Sequence, residues 1–499
     1  METKLNTSAF GKNDIRGIFP SGVNSEVFFA AAIGYVRWVI NNFKEKGTPK
    51  RADELCFCVC MDARLHSKEL KDAVIKGITS YGANVVDIGL APTPLGYFSE
   101  FAKIPDEILK GRKINGALII TASHNPSEYN GLKMTFNKSS LTEADIKEVK
   151  FESEKAYDMI QENKLPYLQK GFVEEFNLVE VYQEKLLDGF SKCASGLKIV
   201  VDSANATGGI VAPKIYKDMG AEVIELYSEP DGHFPNHHPN PSDESTLDDI
   251  KHAVLQYEAD FGIAFDGDSD RIGVIDSKGK MITGDKLLLI YALDLINSLK
   301  ARGEKPTVVS EVKCSQVLYD TINENGGNAV MYKTGHGYIK SKMKETGALL
   351  AGEMSGHIFF KDRYYGFDDA IYAGMRLIEI VSKNKKQNQN FRVEDLLEPF
   401  SKVFISKEIR LKCPNELKKT VLEELKNHIN DTLFDSKIKD IVTLDGMRII
   451  FEDGFALIRQ SNTEPVFTMR FEAKTKEKCT CYQDALVNIT EKLVEKFSE

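Results

Sequence analysis

One pattern occurs three times along the chain: a β-branched strand, a loop, an amphipathic helix, a glycine-containing turn and a second strand. The first copy starts at Leu55, with a helix over residues 67–80 and a strand over 85–88. In chain order, the strand, helix and strand of the next two copies cover residues 198–202, 212–219, 222–226, 307–311, 314–323 and 328–332. A helix that connects two strands of one sheet usually leaves them parallel. The repeat therefore predicts three tandem α/β domains with mixed, mostly parallel sheets.

The end of the chain does not repeat this pattern. A polar stretch over residues 383–390 cannot bury itself and indicates an exposed helix end or a linker. Beyond it, strands near 403–411 and 446–451 alternate with helices over 416–430 and 476–498, which is typical of an α+β domain. Since a domain takes roughly 150 residues, a chain of 499 residues fits four domains. We predict their boundaries at residues 1–170, 171–281, 282–396 and 397–499.

Composition excludes several classes of protein. The net charge is −9 and the lysines and arginines are dispersed, so no basic surface for nucleic acid is expected. The N-terminus lacks a signal-peptide core, and no apolar run approaches the roughly 18 residues that span a bilayer. Among the eight cysteines, Cys56, Cys58 and Cys60 alternate along an apolar strand, while Cys479 and Cys481 lack the CxxC metal spacing. We expect a cytoplasmic, membrane-free protein with reduced thiols.

A serine follows the apolar strand over residues 116–120, in the loop Thr-Ala-Ser-His-Asn-Pro that contains Ser123. Lys133 comes shortly afterwards. Ligands of open α/β sheets gather at the ends of such strands. A polar turn closed by Pro126 would explain the loop equally well. A Ser-His hydrolase pair is not expected, because Ser123 and His124 are sequence neighbours whose side chains should diverge, and no Gly-x-Ser-x-Gly elbow is present.

Three carboxylates occupy one short loop, Asp266-Gly-Asp268-Ser-Asp270-Arg271, between two apolar strands. At an effective dielectric constant of ~20, two such charges ~4 Å apart repel by about 4 kcal/mol, so a bound cation is expected. All-oxygen ligation favours magnesium. An EF-hand is excluded, because its sixth position must be glycine and this loop has Arg271 there. A solvated acidic turn is the remaining alternative.

Two further loops are rich in hydrogen-bonding groups. Residues 352–357, Gly-Glu-Met-Ser-Gly-His, place polar side chains between glycines, as a loop that binds sugar hydroxyls would. Residues 459–465, Arg-Gln-Ser-Asn-Thr-Glu-Pro, follow a strand and offer a guanidinium, hydroxyls and backbone N–H groups that suit a phosphate. In isolation, either could be an ordinary polar or capped turn.

Together these loops resemble those of the α-D-phosphohexomutases, in order and spacing, from Asp14-Ile-Arg16-Gly to the loop at Arg459. Within that superfamily the chain looks like the phosphomannomutase/phosphoglucomutase group. The resemblance implies four domains around a central cleft, which hold in turn the phosphoserine, metal, sugar and phosphate loops. Two positions depart from the usual pattern. Residues 10–13 lack the common Arg and Tyr before Asp14, and Ala63 occupies a frequent glycine position.

The resemblance also implies roles for individual residues. Ser123 would be the phosphorylated residue, with Mg²⁺ bound by one of its oxygens and by Asp266, Asp268 and Asp270. General acid and base roles would be shared among the basic residues near the phosphoryl group, Arg16, Lys133 and His336, with His124 and Arg271 as further catalytic positions. Substrate would be bound by Lys313, by the sugar loop at Glu353, Ser355 and His357, and by the phosphate loop at Arg459, Ser461, Asn462 and Thr463.

The activity that follows is a mutase reaction. Phospho-Ser123 would give its phosphoryl group to a mannose or glucose 1- or 6-phosphate, and the 1,6-bisphosphate would turn around and return the other one. The fourth domain would act as a closing lid, and the protein is expected to be a monomer or weak dimer. The alternatives are a phosphoglucosamine or phosphoacetylglucosamine mutase, and a noncatalytic relative that senses sugar phosphates. No P-loop supports a kinase.

Overall fold

The computed structural model describes residues 4–166, 169–190, 192–461 and 465–498, which form two compact units. The first unit comprises the described residues up to Ile282, together with Gly356–Ile358 and Phe367–Arg392. The second comprises Thr283–Ser355, Phe359–Gly366 and the described residues from Val393 onward. None of the described helices is both long and apolar enough to cross a membrane.

The first unit begins with a seven-stranded mixed sheet. Its strands are β1 (Ile15–Ile18), β2 (Cys56–Met61), β3 (Asn84–Leu90), β4 (Ile114–Ile120), β5 (Tyr129–Phe136), β6 (Ser139–Ser140) and β7 (Val173–Glu175). They lie in the order β1-β5-β4-β2-β3-β7, with β6 paired to β5. Strands β2, β3, β4 and β7 are parallel, whereas β5 runs antiparallel between β4 and β1. The accompanying helices are α1 (Ser25–Glu45), α2 (Ser67–Ser80), α3 (Thr93–Phe98), α4 (Asp106–Leu109) and α5 (Glu143–Gln161).

Local sequence explains where the long helices begin and what they bury. Asn24 caps α1 by accepting the N–H of Val27, and Thr142 caps α5 in the same way from Asp145. The inner face of α1 carries Phe28 and Tyr35, which are fully buried against the sheet. This packing fixes the strands whose carboxyl ends hold the site.

A five-stranded sheet completes the first unit. Its strands are β8 (Lys198–Asp202), β9 (Glu222–Leu226), β10 (Phe261–Phe265), β11 (Ile272–Ile275) and β12 (Met281–Ile282), in the order β12-β11-β10-β8-β9. Strands β8, β9 and β10 are parallel, and β10 turns back into antiparallel β11. The helices are α6 (Leu178–Leu187), α7 (Ala212–Asp218) and α8 (Asp248–Gln256). The β10–β11 turn is the loop that carries the three aspartates.

The second unit contains the third parallel arrangement. Its strands are β13 (Thr307–Glu311), β14 (Asn328–Tyr332), β15 (Leu350–Gly352) and β16 (Ile358–Phe360), in the order β14-β13-β15-β16, and only the first residue of β16 belongs to the first unit. The helices are α9 (Gly284–Lys300), α10 (Gln316–Glu324) and α11 (His336–Thr346), whereas α12 (Ala370–Gln387) belongs to the first unit. Short 3₁₀ helices occur at Ala52–Glu54, Thr207–Ile210, Glu244–Thr246 and Val393–Lys402.

The remaining sheet of the second unit is antiparallel. Its strands are β17 (Phe404–Ile405), β18 (Ile409–Lys412), β19 (Ile438–Val442), β20 (Met447–Phe451), β21 (Gly454–Gln460) and β22 (Val466–Ala473). They follow the order β17-β22-β21-β20-β19, with β18 also paired to β22. Helices α13 (Lys418–His428), α14 (Asp431–Phe434) and α15 (Lys476–Ser498) cover the core, where the rings of Phe451 and Tyr482 stack at 4.1 Å.

The predicted fold class is confirmed, with three mostly parallel or mixed sheets and a final antiparallel one. The predicted bounds of β8, β9, β13 and β14 match residue for residue. The polar stretch begins inside α12, which ends at Gln387. The single strand expected near 403–411 is two strands, because the Ser406 hydroxyl accepts the N–H of Phe471 and interrupts the backbone ladder. The predicted domain boundaries stay a prediction.

All eight cysteines are unpaired, and six of them are buried. The three on β2 are fully buried, and burial raises the pKa of the Cys56 thiol to about 12. These groups are protonated at neutral pH and act as small apolar side chains. The expectation of buried reduced thiols is confirmed for these positions.

A buried ion pair supports the loop that follows β9. His237 Nε2 lies 2.9 Å from the fully buried carboxylate of Asp202, at the end of β8. Burial alone would lower the pKa of His237, but its hydrogen bond to Asp202 and the charge of that carboxylate raise it above its usual value. A histidine with a raised pKa stabilises the fold fully below its unfolded-state pKa and loses this contribution as pH rises through the folded-state pKa.

Replacing His237 with glutamine should therefore destabilise the protein by about 1–2 kcal/mol at about pH 5, and by much less at about pH 9. Urea unfolding of both proteins at the two pH values measures the difference. His252→Gln, on an exposed position of α8, serves as the control and should have no pH-dependent effect. An equal cost for His237→Gln at both pH values would contradict the charged pair.

Candidate active site

Ser123 lies in a buried loop directly after β4, and its backbone is left-handed, with φ of +51°. Its N–H donates to the Thr121 hydroxyl at 2.8 Å, which holds the turn closed. Its Oγ donates to Oδ2 of Asp266 at 2.7 Å. A non-glycine residue in this conformation is costly, and such strain concentrates at functional positions. The fold therefore holds this hydroxyl against an aspartate more than a hundred residues further along the chain.

One sequence-based expectation about this loop is wrong. The side chains of Ser123 and His124 do not diverge, because Ser123 Oγ lies 3.2 Å from Nδ1 of His124. Neighbouring side chains point to opposite sides only in extended backbone, and Ser123 is not extended. Burial, followed by the charges of Arg271 and Arg16, holds the pKa of His124 well below its usual value. The imidazole is therefore neutral at pH 7.

The three aspartates form one buried cluster. Asp266, Asp268 and Asp270 are at most 1% exposed, and one oxygen of each lies within 4.8 Å of the others. Lys133, on β5, donates from Nζ to Asp268 at 2.6 Å and to Asp270 at 2.5 Å. Thr93, at the start of α3, donates its hydroxyl to Asp268 at 2.5 Å. Lys133, on β5, and Ser123, after β4, thus both contact the aspartate cluster from the seven-stranded sheet.

The surroundings of this cluster shift the pKa values of its carboxylates in opposite directions. Burial and the charges of Asp268 and Asp270 raise the pKa of Asp266 well above its usual range. Burial also favours neutral Asp270, but Lys133 and His357 outweigh it and hold that pKa well below its usual range. In addition, Oδ1 of Asp268 is buried with no hydrogen-bond donor reaching it from the described residues. An orphaned oxygen among three carboxylates and a serine hydroxyl fits a hard divalent cation.

Basic groups surround the cluster within the first unit. Arg16, on β1, donates to the Asn125 side chain at 2.7 Å and to Asp14 at 2.5 Å, so it is tied to the serine loop. Arg271 Nε lies 3.3 Å from Nε2 of His357, which in turn lies 3.4 Å from Oδ1 of Asp270. This arrangement provides cationic groups for an anionic ligand beside Ser123.

Gly267 shows how closely the serine and aspartate loops approach. A Cβ at this position would lie 2.4 Å from the backbone oxygen of Ser123. No side chain fits there, so glycine is required between Asp266 and Asp268. The two loops therefore meet backbone to backbone.

The second unit holds the other predicted site residues. Glu353, after β15, accepts the N–H of Gly335 at 2.6 Å, directly before His336 at the start of α11. Glu311, at the end of β13, accepts the N–H of Met354 at 2.8 Å, and Lys313 Nζ lies 3.6 Å from the same carboxylate. These contacts join the ends of neighbouring strands.

Asp445 connects the final sheet to this group. It accepts from Nε of Arg459, on β21, and from the N–H of Thr334, both at 3.1 Å. The backbone turns sharply at Gly446, where a Cβ would lie 2.3 Å from the oxygen of Ile458. Arg459 is thereby aligned with the turn that precedes His336.

The structure places the predicted residues in two groups. The first unit holds Arg16, Ser123, His124, Lys133, Asp266, Asp268, Asp270, Arg271 and His357. The second holds Lys313, His336, Glu353, Ser355, Arg459 and Ser461. Two predicted residues, Asn462 and Thr463, lie outside the described part of the chain.

Sequence reasoning missed several residues that hold the site together. Thr93, Glu311 and Asp445 all contact predicted site residues or their neighbours. Thr93 precedes Pro94 at a helix start and Asp445 precedes Gly446, and both pairs are ordinary turn signals. Arg64 is a fourth such residue, whose guanidinium contacts the serine loop. No sequence pattern distinguished these positions from other loop residues.

Models of one protein family match nearly the whole chain. The α/β/α domains I, II and III of phosphoglucomutase/phosphomannomutase match residues 7–158, 180–279 and 283–400, and the C-terminal domain matches 408–489. The fold, the buried serine and these matches define a phosphohexomutase, an isomerase that relocates a phosphoryl group on a hexose phosphate.

Individual relatives agree with this class. A phosphomannomutase/phosphoglucomutase of Pseudomonas syringae is 36% identical, over 94% of this chain and 92% of the relative. A phosphoglucomutase of Neisseria gonorrhoeae is also 36% identical, over 93% of each chain. A solved phosphoglucomutase/phosphomannomutase family protein of Burkholderia thailandensis superposes with a TM-score of 0.83 at 33% identity, over 98% of each chain. The chain belongs to the phosphoglucomutase/phosphomannomutase family.

Proposed function

We propose that this enzyme interconverts the 1- and 6-phosphates of mannose and glucose, with Ser123 as the residue that carries the phosphoryl group. The observation that supports this role most directly is the 2.7 Å hydrogen bond from Ser123 Oγ to Asp266, inside a buried cluster of carboxylates. A serine that only capped a turn would not need to reach an aspartate of a neighbouring sheet. The mannose and glucose specificity is supported by the names of the relatives.

The proposed reaction consists of two balanced transfers. In the first, the bond from phosphorus to Ser123 Oγ breaks as the free hydroxyl of the sugar phosphate forms a bond to phosphorus. The sugar hydroxyl gives its proton to a basic side chain, and a hexose 1,6-bisphosphate results. After the bisphosphate turns around, Ser123 accepts the other phosphoryl group and the proton returns to the sugar oxygen. The phosphoserine is thus restored in every cycle.

Residues of the first unit would perform these transfers. Arg16 and Arg271 would hold the phosphoryl oxygens, and their guanidiniums would stabilise the charge in the transition state. Lys133, His124 and His357 contact Ser123 or its aspartates and would exchange protons there. We propose that His336, which lies in the second unit, is a further general acid or base.

A divalent cation, Mg²⁺ by the oxygen chemistry of the donors, would be held by Asp266, Asp268, Asp270 and Ser123. When bound, such an ion neutralises charge on the phosphoryl oxygens. Burial opposes ionisation of Asp270, but the charge of Lys133 outweighs it and holds the pKa of Asp270 well below its usual range, so this carboxylate is ready as a ligand at neutral pH.

Further residues would bind the rest of the substrate. Glu353, Ser355 and His357 would read the sugar hydroxyls, and Lys313 would add a positive charge. The phosphate that does not react would be held by the loop that follows β21, with Arg459, Ser461, Asn462 and Thr463. Asp445 would orient Arg459 for this contact.

The free thiols support a reducing, cytoplasmic location.

The test is a coupled assay with mannose 1-phosphate, glucose 1-phosphate and glucosamine 1-phosphate, with Mg²⁺ and a trace of glucose 1,6-bisphosphate. We expect kcat/KM for the first two sugars to exceed that for glucosamine 1-phosphate by about 100-fold or more. A preference for glucosamine 1-phosphate would contradict the proposed sugars but leave the mutase chemistry intact.

A further inference from the structure

Arg64 is a buried arginine that follows β2, and its role is not explained by substrate binding. Its side chain is 0% exposed, so it cannot contact a sugar phosphate directly. The guanidinium donates from Nε to Asp62 at 3.0 Å. Its remaining four N–H groups point to backbone oxygens rather than to solvent or to acidic side chains. All five donors of the guanidinium are therefore used within the fold.

Three of the four backbone acceptors belong to the serine loop, and the fourth is Tyr129, the first residue of β5. One terminal nitrogen donates to the oxygens of Ser123 at 2.8 Å and Asn125 at 2.6 Å. The other donates to the oxygens of Pro126 at 2.5 Å and Tyr129 at 3.0 Å. The loop between β4 and β5 is thus wrapped around one planar cation. A hydrogen bond to a charged group contributes about 1.5–3 kcal/mol, so four of them fix this loop strongly.

The action of Arg64 is geometric more than electrostatic. Asp62 lies against the guanidinium and balances its charge, and both side chains are at most 2% exposed. Asp62 is fixed in turn by the Ser67 hydroxyl, at 2.6 Å. The directed donors of the guanidinium set where the loop backbone lies. That backbone includes the left-handed turn at Ser123.

The loop that follows β9 also packs against Arg64. The ring of Phe234 lies 5.4 Å from the guanidinium carbon. A Cβ at Gly232 would lie 2.5 Å from the oxygen of Ala63, so the two loops are in close contact. Arg64 therefore sits between the serine loop and the loop that follows β9.

We propose that Arg64 is a positioning residue for the phosphoryl transfer, which keeps Ser123 Oγ aligned with the aspartate cluster while the substrate is exchanged and turned. The inference rests on the carrier role of Ser123 proposed above. A misplacement of about 1 Å at a reacting group can cost about 100-fold in rate. Loss of the guanidinium should accordingly slow the transfer without weakening sugar phosphate binding.

Arg64→Lys tests this, because an ammonium has three donors and cannot reach four carbonyls and Asp62 together. We expect kcat to fall about 100-fold, with KM for glucose 1-phosphate within about threefold of the unchanged enzyme. Arg37→Lys is the matched control, since Arg37 bonds Glu152 and Tyr81 in the helical layer of the same unit. It should reproduce any general loss of stability, measured as Tm, with kcat nearly unchanged.

A second measurement distinguishes the possible results. It is the rate at which glucose 1,6-bisphosphate phosphorylates Ser123, monitored as the change in intact-protein mass. If the unchanged enzyme gains no phosphoryl group on Ser123, the carrier role itself fails. If it does, and Arg64→Lys is phosphorylated as fast with an unchanged kcat, the positioning role is overturned. It is also overturned if Arg37→Lys, at a similar loss of Tm, shows the same fall in kcat as Arg64→Lys.

A second variant covers the case in which Arg64→Lys does not fold. Phe234→Leu removes the ring that packs on the guanidinium and leaves all five donors in place. We expect kcat to fall about fivefold with KM unchanged, because the guanidinium gains freedom to move. An unchanged kcat in this variant would count against the proposal.

Discussion

Replacing Ser123 with alanine is expected to lower kcat for glucose 1-phosphate by about 10,000-fold or more, the scale seen when a covalent nucleophile is removed. The alanine lacks the oxygen that donates to Asp266 and that would receive and release the phosphoryl group. The fold should survive, because Ser123 donates its backbone N–H to Thr121 and its backbone oxygen accepts from Arg64, and neither bond needs the hydroxyl. Steady-state assays with a melting curve of each protein test this.

Ser127→Ala is the matched control, because Ser127 lies on the same loop and is exposed. Its turnover should stay within about twofold of the unchanged enzyme, as for most surface substitutions. Incubation with glucose 1,6-bisphosphate should add a phosphoryl group to this control but not to Ser123→Ala. Undiminished turnover in Ser123→Ala would contradict the carrier role.

Asp266→Asn is expected to lower kcat about 100- to 1,000-fold and to raise the Mg²⁺ concentration for half-maximal activity about 10- to 100-fold. The amide removes one anionic oxygen from the cluster and changes the partner of the Ser123 hydroxyl. The shape of the loop should be retained, since an amide oxygen can still accept the N–H of Arg271. Activity is measured against Mg²⁺ concentration after all metal has been removed with EDTA.

Asp276→Asn provides the control for this measurement. Asp276 is also buried and follows β11, but it accepts the N–H groups of Lys278 and Lys280 in a tight turn. Its replacement should lower stability and leave the Mg²⁺ dependence unchanged. If both variants require the same Mg²⁺ concentration as the unchanged enzyme, or if activity survives EDTA, the aspartate cluster is not the metal site.

The sequence correctly predicted the features that depend on local periodicity and on the ends of strands. Strands β8, β9, β13 and β14 follow directly from short β-branched runs between turn signals, and burial reinforced this preference instead of opposing it. Ser123 and the three aspartates could be found because each follows an apolar strand, and ligands of open α/β sheets gather at the carboxyl ends of strands.

Contacts between distant segments could not be predicted in this way. Arg64 precedes Ser123 by 59 positions, and its four bonds go to backbone oxygens, which have no side-chain signature. The direction of His124 depends on one backbone angle, φ at Ser123, which residue type does not determine. His357 and Glu353 are close in the chain but belong to different units, since the chain returns to the first unit at Gly356.

The close approach at Gly267 has a consequence for reversibility. In the proposed mechanism Ser123 would donate a phosphoryl group and later accept one, so its position relative to the aspartates should be the same at both transfers. The contact between Gly267 and the Ser123 oxygen involves only main chain, which no side-chain rotation can loosen. In the proposed mechanism this contact would keep the serine loop and the aspartate loop at the same separation from one catalytic cycle to the next.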